Sequence, residues 1–518
     1  MFTPVSESNQ APPSVTEPNA VSPRTALLSR PALAMATVGL LVALPYALPG
    51  KWASRLRLLQ PRDDEPARTA PAASDSAAAP VGSVRVAEET ADREDMAPPQ
   101  IVPVSSARTK PPPRPIEDPT DQALHSFFAK LAKVERKDPG AIARILHYGD
   151  SLLAVDLVAS TLRRQLQDAF GDAGHGWMPI ANPTPGYFHA DVSRRASSEW
   201  MISRVVGPFS PDGLYGLGGF SFIGGSRAAW SRFATPSKGT FGRSVSRFGV
   251  QYLAQPGGGD LEVVIDGEQK ELISTSAESP KLMSWEKKVP DGEHSFELRV
   301  VKGPVRAFGT WMDREVPGVI LDSAGIQGAR LRFLDQADDA HWAESLKQRS
   351  PDLVILEFGL NEAADDFAYP MDRYRETATK VLEQVRAALP EASCLMVSPN
   401  DVAIKRGTDL ATRPVVPYLV KAQREVSEKA GCAFFDVYQA MGGYGSMATW
   451  IRKGLGGPDY THPTTIGADH IGTWLYRALM ERYEAWKAAG GKPRPGDAGV
   501  GDADAASASD APGSDAAP

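Results

Sequence analysis

Two cysteines in 518 residues, Cys394 and Cys432, are too few for a disulfide-dense scaffold. Both lie in apolar runs, which suits two buried thiols, with a disulfide between them as the alternative. Basic charge is also short. The 56 Lys and Arg face 63 Asp and Glu, for a formal net charge of -7. Phosphate backbones select basic surfaces, so nucleic acid is excluded as the main partner. Metal-ligand spacing of the His-Glu-x-x-His kind is missing. The glycine-rich stretch GGFSFIGGS (218–226) has neither a strand-GxGxxG-helix context nor a Lys-Ser/Thr ending. The sequence therefore predicts no metal and no cofactor.

Long apolar runs are missing too, with one exception. PALAMATVGLLVALPYALPG, residues 31–50, holds no charged residue. A helix of about 20 residues can cross a bilayer. The expectation is an uncleaved transmembrane anchor; a cleaved signal peptide is the rival, but no clean Ala-x-Ala site follows. Arg24 and Arg30 precede the run, and Lys51, Arg55, Arg57 and Arg62 follow it. Counting those cations alone would hold the C-terminal bulk in the cytoplasm, against the function reached below.

The rest of the chain divides by composition. Residues 1–30 are polar and aperiodic, and 51–118 are rich in Pro, Ala and Asp, ending in KPPPRP. Neither can bury a core, and the second reads as an extended tether. The tail 489–518 reads likewise. What remains is expected to fold in three pieces. Residues 119–180 begin with a helix over Asp121–Lys137. RILHYGD follows as a buried strand, then an amphipathic helix that places Leu157, Leu162, Leu166 and Phe170 near one face. Residues 181–315 lose helical periodicity and alternate instead (RFGVQYLAQ, DLEVVIDG, HSFELRVVKG), as an inserted β-sandwich would. In 316–488 strands and helices alternate again, down to a closing helix over IGADHIGTWLYRALMERYEAWK. The fold class is α/β: three layers, α/β/α, around a parallel sheet, interrupted by the β insert and preceded by the N-terminal membrane helix.

Open α/β sheets gather their reactive groups at the carboxyl ends of the strands. Four loops fall there: Gly149-Asp150-Ser151, the run from Ser323 to Gly328, Gly359-Leu360-Asn361-Glu362, and Asp459-Tyr460-Thr461-His462. A serine opening a helix offers a hydroxyl nucleophile and its own N–H, and a histidine can take the proton. An aspartate three residues earlier can hold the imidazole tautomer. Glycine lets a carbonyl approach the backbone, and an asparagine amide supplies a further oxyanion donor.

At these residues the chain resembles the SGNH, or GDSL-type, hydrolases, whose blocks stand here in the family's order. The resemblance implies a flavodoxin-like sheet, Ser151 as nucleophile, His462 as base and Asp459 as its orienting carboxylate. It implies an oxyanion hole from the Ser151 N–H, the Gly328 N–H and the Asn361 side chain. The second block reads DSAGIQG, without the asparagine many members carry early in it, which leaves Gly325 as the alternative to Gly328. The phrase GDSLLAVDLVASTLRRQLQDAFGDAGHGW, followed by a β insertion and then GLNEA, resembles the peptidoglycan O-acetylesterase branch. Those enzymes carry a carbohydrate-binding-module-like sandwich within the hydrolase. That resemblance implies an acetylated glycan as partner and substrate, with the catalytic domain on the extracytoplasmic, periplasmic side of the inner membrane. An O-acetyltransferase, a lipid or small-ester hydrolase and a non-catalytic glycan-binding protein are the competing functions. The sequence leaves the oligomeric state undetermined.

Other readings of single residues are plainer. Ser151 could cap the helix that follows. Asp150 fits a turn-fixing role better than proton chemistry, and Glu362 a solvated or turn-binding one. His147, His341 and His470 read as structural. Trp200, Trp230, Trp285 and Trp311 fit the sandwich core better than a sugar-stacking platform.

Overall fold

The structure, a computed structural model, describes residues 84–85 and 113–491. The expected segment 1–30, the anchor 31–50, most of the tether 51–118 and the tail beyond 491 lie outside the described residues. Among the described residues no helix is long and apolar enough to cross a membrane.

The centre of the α/β part is a five-stranded parallel sheet. Its strands are β1 (Ile142–Gly149), β2 (Gly318–Gly325), β3 (Leu353–Glu357), β4 (Ser393–Val397) and β5 (Ala433–Phe435). Their order across the sheet is β2-β1-β3-β4-β5, with β2 and β3 flanking β1 in parallel register. This is the flavodoxin-like order, and the β1/β3 boundary is its switch point. The strands are buried along nearly their whole length, which is why they read as continuous apolar runs rather than alternating ones.

Six longer helices cover the sheet. They are α1 (His125–Glu135), α2 (Leu157–Phe170), α3 (Asp339–Arg349), α4 (Met371–Ala388), α5 (Val416–Lys429) and α6 (Thr465–Ala488). Helices α1, α2 and α6 pack together, and α4 packs against both α3 and α5. The side chains that bury α4 are Tyr374, Ala378, Val381, Leu382 and Val385, the three- and four-residue spacing of one helical face.

Between α2 and β2 the chain builds two antiparallel sheets. One contains 200–204, 220–224, 305–313, 245–254 and 281–292; the other contains 269–274, 260–265, 295–302, 230–234 and 193–196. Phe248 of the first stacks on Phe296 of the second, with ring centroids 4.8 Å apart. Strand Gly174–Pro179 lies ahead of the expected start of the insert at 181, yet it pairs antiparallel with Val305–Asp313. It also braces β2: a Cβ at Gly176 would lie 2.4 Å from the Leu321 carbonyl oxygen, and the Trp177 N–H donates to Asp322 Oδ1 at 2.7 Å. In the same seam the buried Arg349 guanidinium, at the end of α3, bonds two carboxylates at once. It reaches Asp313 of the insert at 2.8 Å and Asp322 of β2 at 2.7 Å.

The two cysteines form a disulfide, with their Cα atoms 4.8 Å apart. The expectation of two thiols is corrected here. Parallel register sets Leu395 beside Ala433, so Cys394 of β4 and Cys432, the residue just ahead of β5, meet one step earlier.

Candidate active site

The carboxyl end of β1 turns sharply into a short helix, Ser151–Ala154. Gly149 makes the turn possible. A Cβ there would sit 2.8 Å from the Glu357 carbonyl oxygen and 2.9 Å from the Leu153 methyls. Asp150, not Ser151, is the cap: its carboxylate accepts the Leu152 N–H at 3.3 Å. The Ser151 hydroxyl is thereby left for other work, and its N–H falls in the first helical turn, where backbone donors have no intrahelical partner.

Ser151 Oγ lies 2.8 Å from His462 Nε2, and His462 Nδ1 lies 2.7 Å from Asp459 Oδ2. The second contact fixes the tautomer: Nδ1 carries the proton and Nε2 can accept one. Asp459 Oδ1 meanwhile accepts the N–H groups of Thr461 and His462, each at 3.0 Å. Burial alone would raise the Asp459 carboxyl, but those backbone donors and the imidazole outweigh it and hold it below the usual range. The loop is clamped from outside too. Asn400, at the end of β4, donates to the Thr461 carbonyl at 2.9 Å, and the Ala403 N–H donates to the Tyr460 carbonyl at 2.8 Å. Tyr460 itself takes φ +65°, a conformation a bulky residue keeps only when its surroundings enforce it.

The second block ends β2 at Gly325 and turns at Ile326–Ala329. Gly325 is buried, and a Cβ there would come within 2.1 Å of the Ala154 nitrogen. Its glycine serves the crossing of two backbones. Gly328 sits at φ +81°, with nothing within 4 Å of where a Cβ would be. The Ala329 N–H bonds back to the Ile326 carbonyl at 3.0 Å, so residues 326–329 form a type II turn with Gly328 where φ must be positive. Asn361, on the short helix Leu360–Asp365 after β3, donates through Nδ2 to the Ala329 carbonyl at 2.9 Å. The structure therefore joins Ser151, His462 and Asp459 in one chain of contacts, and separately ties the Gly328 turn to Asn361.

Beneath the serine lies a buried acidic group. Burial pushes the Asp150 carboxyl up to about 8, the neighbouring Glu357 and Glu362 charges add to it, and the Leu152 N–H opposes it. Glu362 is buried rather than solvated, which corrects half of the expectation for it, while its turn-binding role is present: Oε1 accepts the Leu331 N–H at 2.7 Å. Burial raises that carboxyl to about 7. His147 is buried against Glu357 at 2.9 Å. His341 is also buried, and His470 lies exposed on α6. Trp200 and Trp311 are core residues, whereas Trp285 is partly buried, stacked on Phe296. Asn400, Arg330 and Asp365 were missed. Their one signal was position, since each lies in the segment that follows the carboxyl end of a sheet strand.

Among the described residues no cluster of His, Cys, Asp or Glu is arranged to hold a metal ion.

A doubly wound parallel sheet with Ser, His and Asp meeting above its switch point is the arrangement of an SGNH-type esterase/acylhydrolase, and comparison with known proteins supports that class. The profile of the GDSL-like lipase/acylhydrolase family matches residues 299–470, a span that takes in Gly328, Asn361, Asp459 and His462 but not Ser151, which the insert separates from the rest. A solved peptidoglycan O-acetylesterase shares the fold, at 23% identity and a TM-score of 0.61, over 71% of this chain and 99% of that one. Lesser likenesses are an acetylxylan esterase from Geobacillus stearothermophilus (19% identity, 32% of this chain and 73% of that one, TM-score 0.23) and a family two carbohydrate esterase from Cellvibrio japonicus (14% identity, 57% and 98%, TM-score 0.23). Among curated proteins no match is found.

Proposed function

We propose that this chain is a membrane-tethered serine esterase that removes O-acetyl groups from a cell-wall or extracellular glycan, with Ser151, His462 and Asp459 as its catalytic residues. The observation that carries the reading is the pair of contacts at 2.8 Å and 2.7 Å that link serine to imidazole and imidazole to carboxylate. Ser151 Oγ attacks the acetyl carbon while its proton passes to His462 Nε2. The carbonyl electron pair moves onto oxygen, which is met by the N–H groups of Ser151 and Gly328 and by Asn361 Nδ2. The bond to the sugar oxygen then breaks, and that oxygen takes the proton from Nε2. Water, deprotonated by the same imidazole, attacks the acetyl-serine; the bond from the acyl carbon to Ser151 Oγ breaks, Oγ takes back the proton from Nε2, and acetate leaves.

Three further facts favour the finer reading. The imidazole and its carboxylate are 41% and 52% exposed, so a polymer can reach them and water is at hand, which favours hydrolysis over transfer. A solved structure that shares the fold over 71% of this chain is a peptidoglycan O-acetylesterase. The disulfide suits an oxidising compartment such as the periplasm.

The test uses the full-length protein and measures acetate released from O-acetylated peptidoglycan. Ser151→Ala is expected to lower the rate by at least about 10³-fold, the scale of losing a nucleophile. Retention of the native rate in that variant would sink the reading. Faster turnover of long acyl esters than of acetyl esters would replace it with a lipase.

A further inference from the structure

The turn that carries Gly328 is held by very little packing. Ile326 and Ala329 are buried at its base, but Gln327 is exposed at its tip. Gly328 has open space where a side chain would stand. Sterics therefore leave the tip free, and hydrogen bonds must define where it sits.

Three such bonds come from one place, the short helix Leu360–Asp365. Asn361 holds the Ala329 carbonyl, and Glu362 holds the Leu331 N–H. The third works through an intermediary. Asp365 grips the Arg330 guanidinium on two sides, with Nε at 2.9 Å from Oδ2 and the terminal nitrogen on Oδ1. The other terminal nitrogen of Arg330, Nη1, faces away from that carboxylate and donates to the Gly328 carbonyl at 2.9 Å. The carboxylate also accepts from Arg332 at 3.1 Å. A planar guanidinium gripped by a bidentate carboxylate has little freedom, so the third donor points in one direction.

We propose that the Arg330–Asp365 pair is a positioning device that fixes the Gly328 turn against the helix carrying Asn361, and so sets the spacing between two donors of the oxyanion hole. The proposal rests on the reading of Gly328 and Asn361 as those donors. One donor arrives on a turn after β2 and the other on a helix after β3, with no covalent link nearer than about thirty residues of chain (328 to 361). A misplacement of about 1 Å in such a group can cost on the order of 10²-fold in rate. Neither Arg330 nor Asp365 needs to touch the substrate. Their part is to keep the Gly328 peptide from drifting when the acyl oxygen pulls on it.

The experiment is steady-state hydrolysis of 4-nitrophenyl acetate by the full-length protein. Arg330→Met removes the donor to Gly328, and Asp365→Asn leaves the arginine in place but loosens its grip. Each is expected to lower kcat by about tenfold or more, part of the loss seen on deleting an oxyanion donor outright, with KM within about threefold of native. Asn361→Ala supplies the decisive comparison. If the pair acts through donor spacing, adding Arg330→Met to Asn361→Ala costs much less than Arg330→Met alone, because there is no longer a second donor to be spaced. The proposal is overturned if either single variant that folds keeps kcat within about twofold of native, or if the two losses simply multiply. The Ser151→Ala measurement is independent of these ratios, so failure of the esterase reading and failure of the positioning pair give different results.

Discussion

Asp459 and Glu362 show how a single carboxylate is tuned by the donors around it. Asp459, open to solvent and met by two backbone N–H groups and an imidazole, stays ionised below its usual range. Glu362, buried with its Oε2 unpartnered and only one backbone group from the turn on Oε1, is pushed up to about 7. The fold thus favours protonated Glu362. In the unfolded chain the same group loses its proton near 4.5, so between these values the native state holds more protons and its stability falls as pH rises. Glu362→Gln does not titrate. Its stability relative to native protein is expected to grow from about pH 4.5 to about pH 7 and then level off, as urea unfolding across that range would show. A flat difference would mean that Glu362 is ionised in the fold. The sequence could name Glu362 as a carboxylate in the right loop. It could not say that the side chain turns inward, because burial there depends on a turn arriving from a strand some thirty residues away.

At the scale of elements, the strand-to-helix corner of β1 was the most legible feature. An apolar run, Gly-Asp-Ser and an amphipathic helix leave few alternatives, and the glycine has a single reason to be there. Gly149→Ala would force a Cβ to 2.8 Å from the Glu357 carbonyl oxygen. It is expected to destabilise the protein by about 1–3 kcal/mol, the usual cost of overpacking, and to lower kcat by displacing Ser151. Thermal unfolding and aryl acetate hydrolysis together would check both halves. The cap was harder to read, since serine and aspartate both cap helices well and only the structure shows that Asp150 does so. Strand Gly174–Pro179 was not legible at all. GHGWMP has two glycines, a proline and no alternation, and it is a strand because two neighbours, Val305–Asp313 and β2, close around it.

For the molecule as a whole, alternation of strands and helices was enough to anticipate the parallel sheet, while the cysteine pairing needed its register. Cys394 and Cys432 lie 38 residues apart in sequence, and apolar surroundings describe a buried thiol and a buried disulfide equally well. Closing a loop of 38 residues is expected to stabilise the fold by about 4 kcal/mol in the chain-entropy view. Cys394→Ala with Cys432→Ala should lower the urea midpoint accordingly, and dithiothreitol should shift the native protein in the same direction. An unchanged midpoint in the double variant would show that the bond contributes nothing to the fold.

Between the last insert strand, which ends at Asp313, and β2, which begins at Gly318, the chain has four residues in which to bend, and Arg349 bolts the two sides together across that gap. A junction so short and so pinned has no hinge. Force applied to the sandwich would load the strand beside the serine directly instead of swinging one module away from the other. The two halves would answer a mechanical pull as one stiff lever.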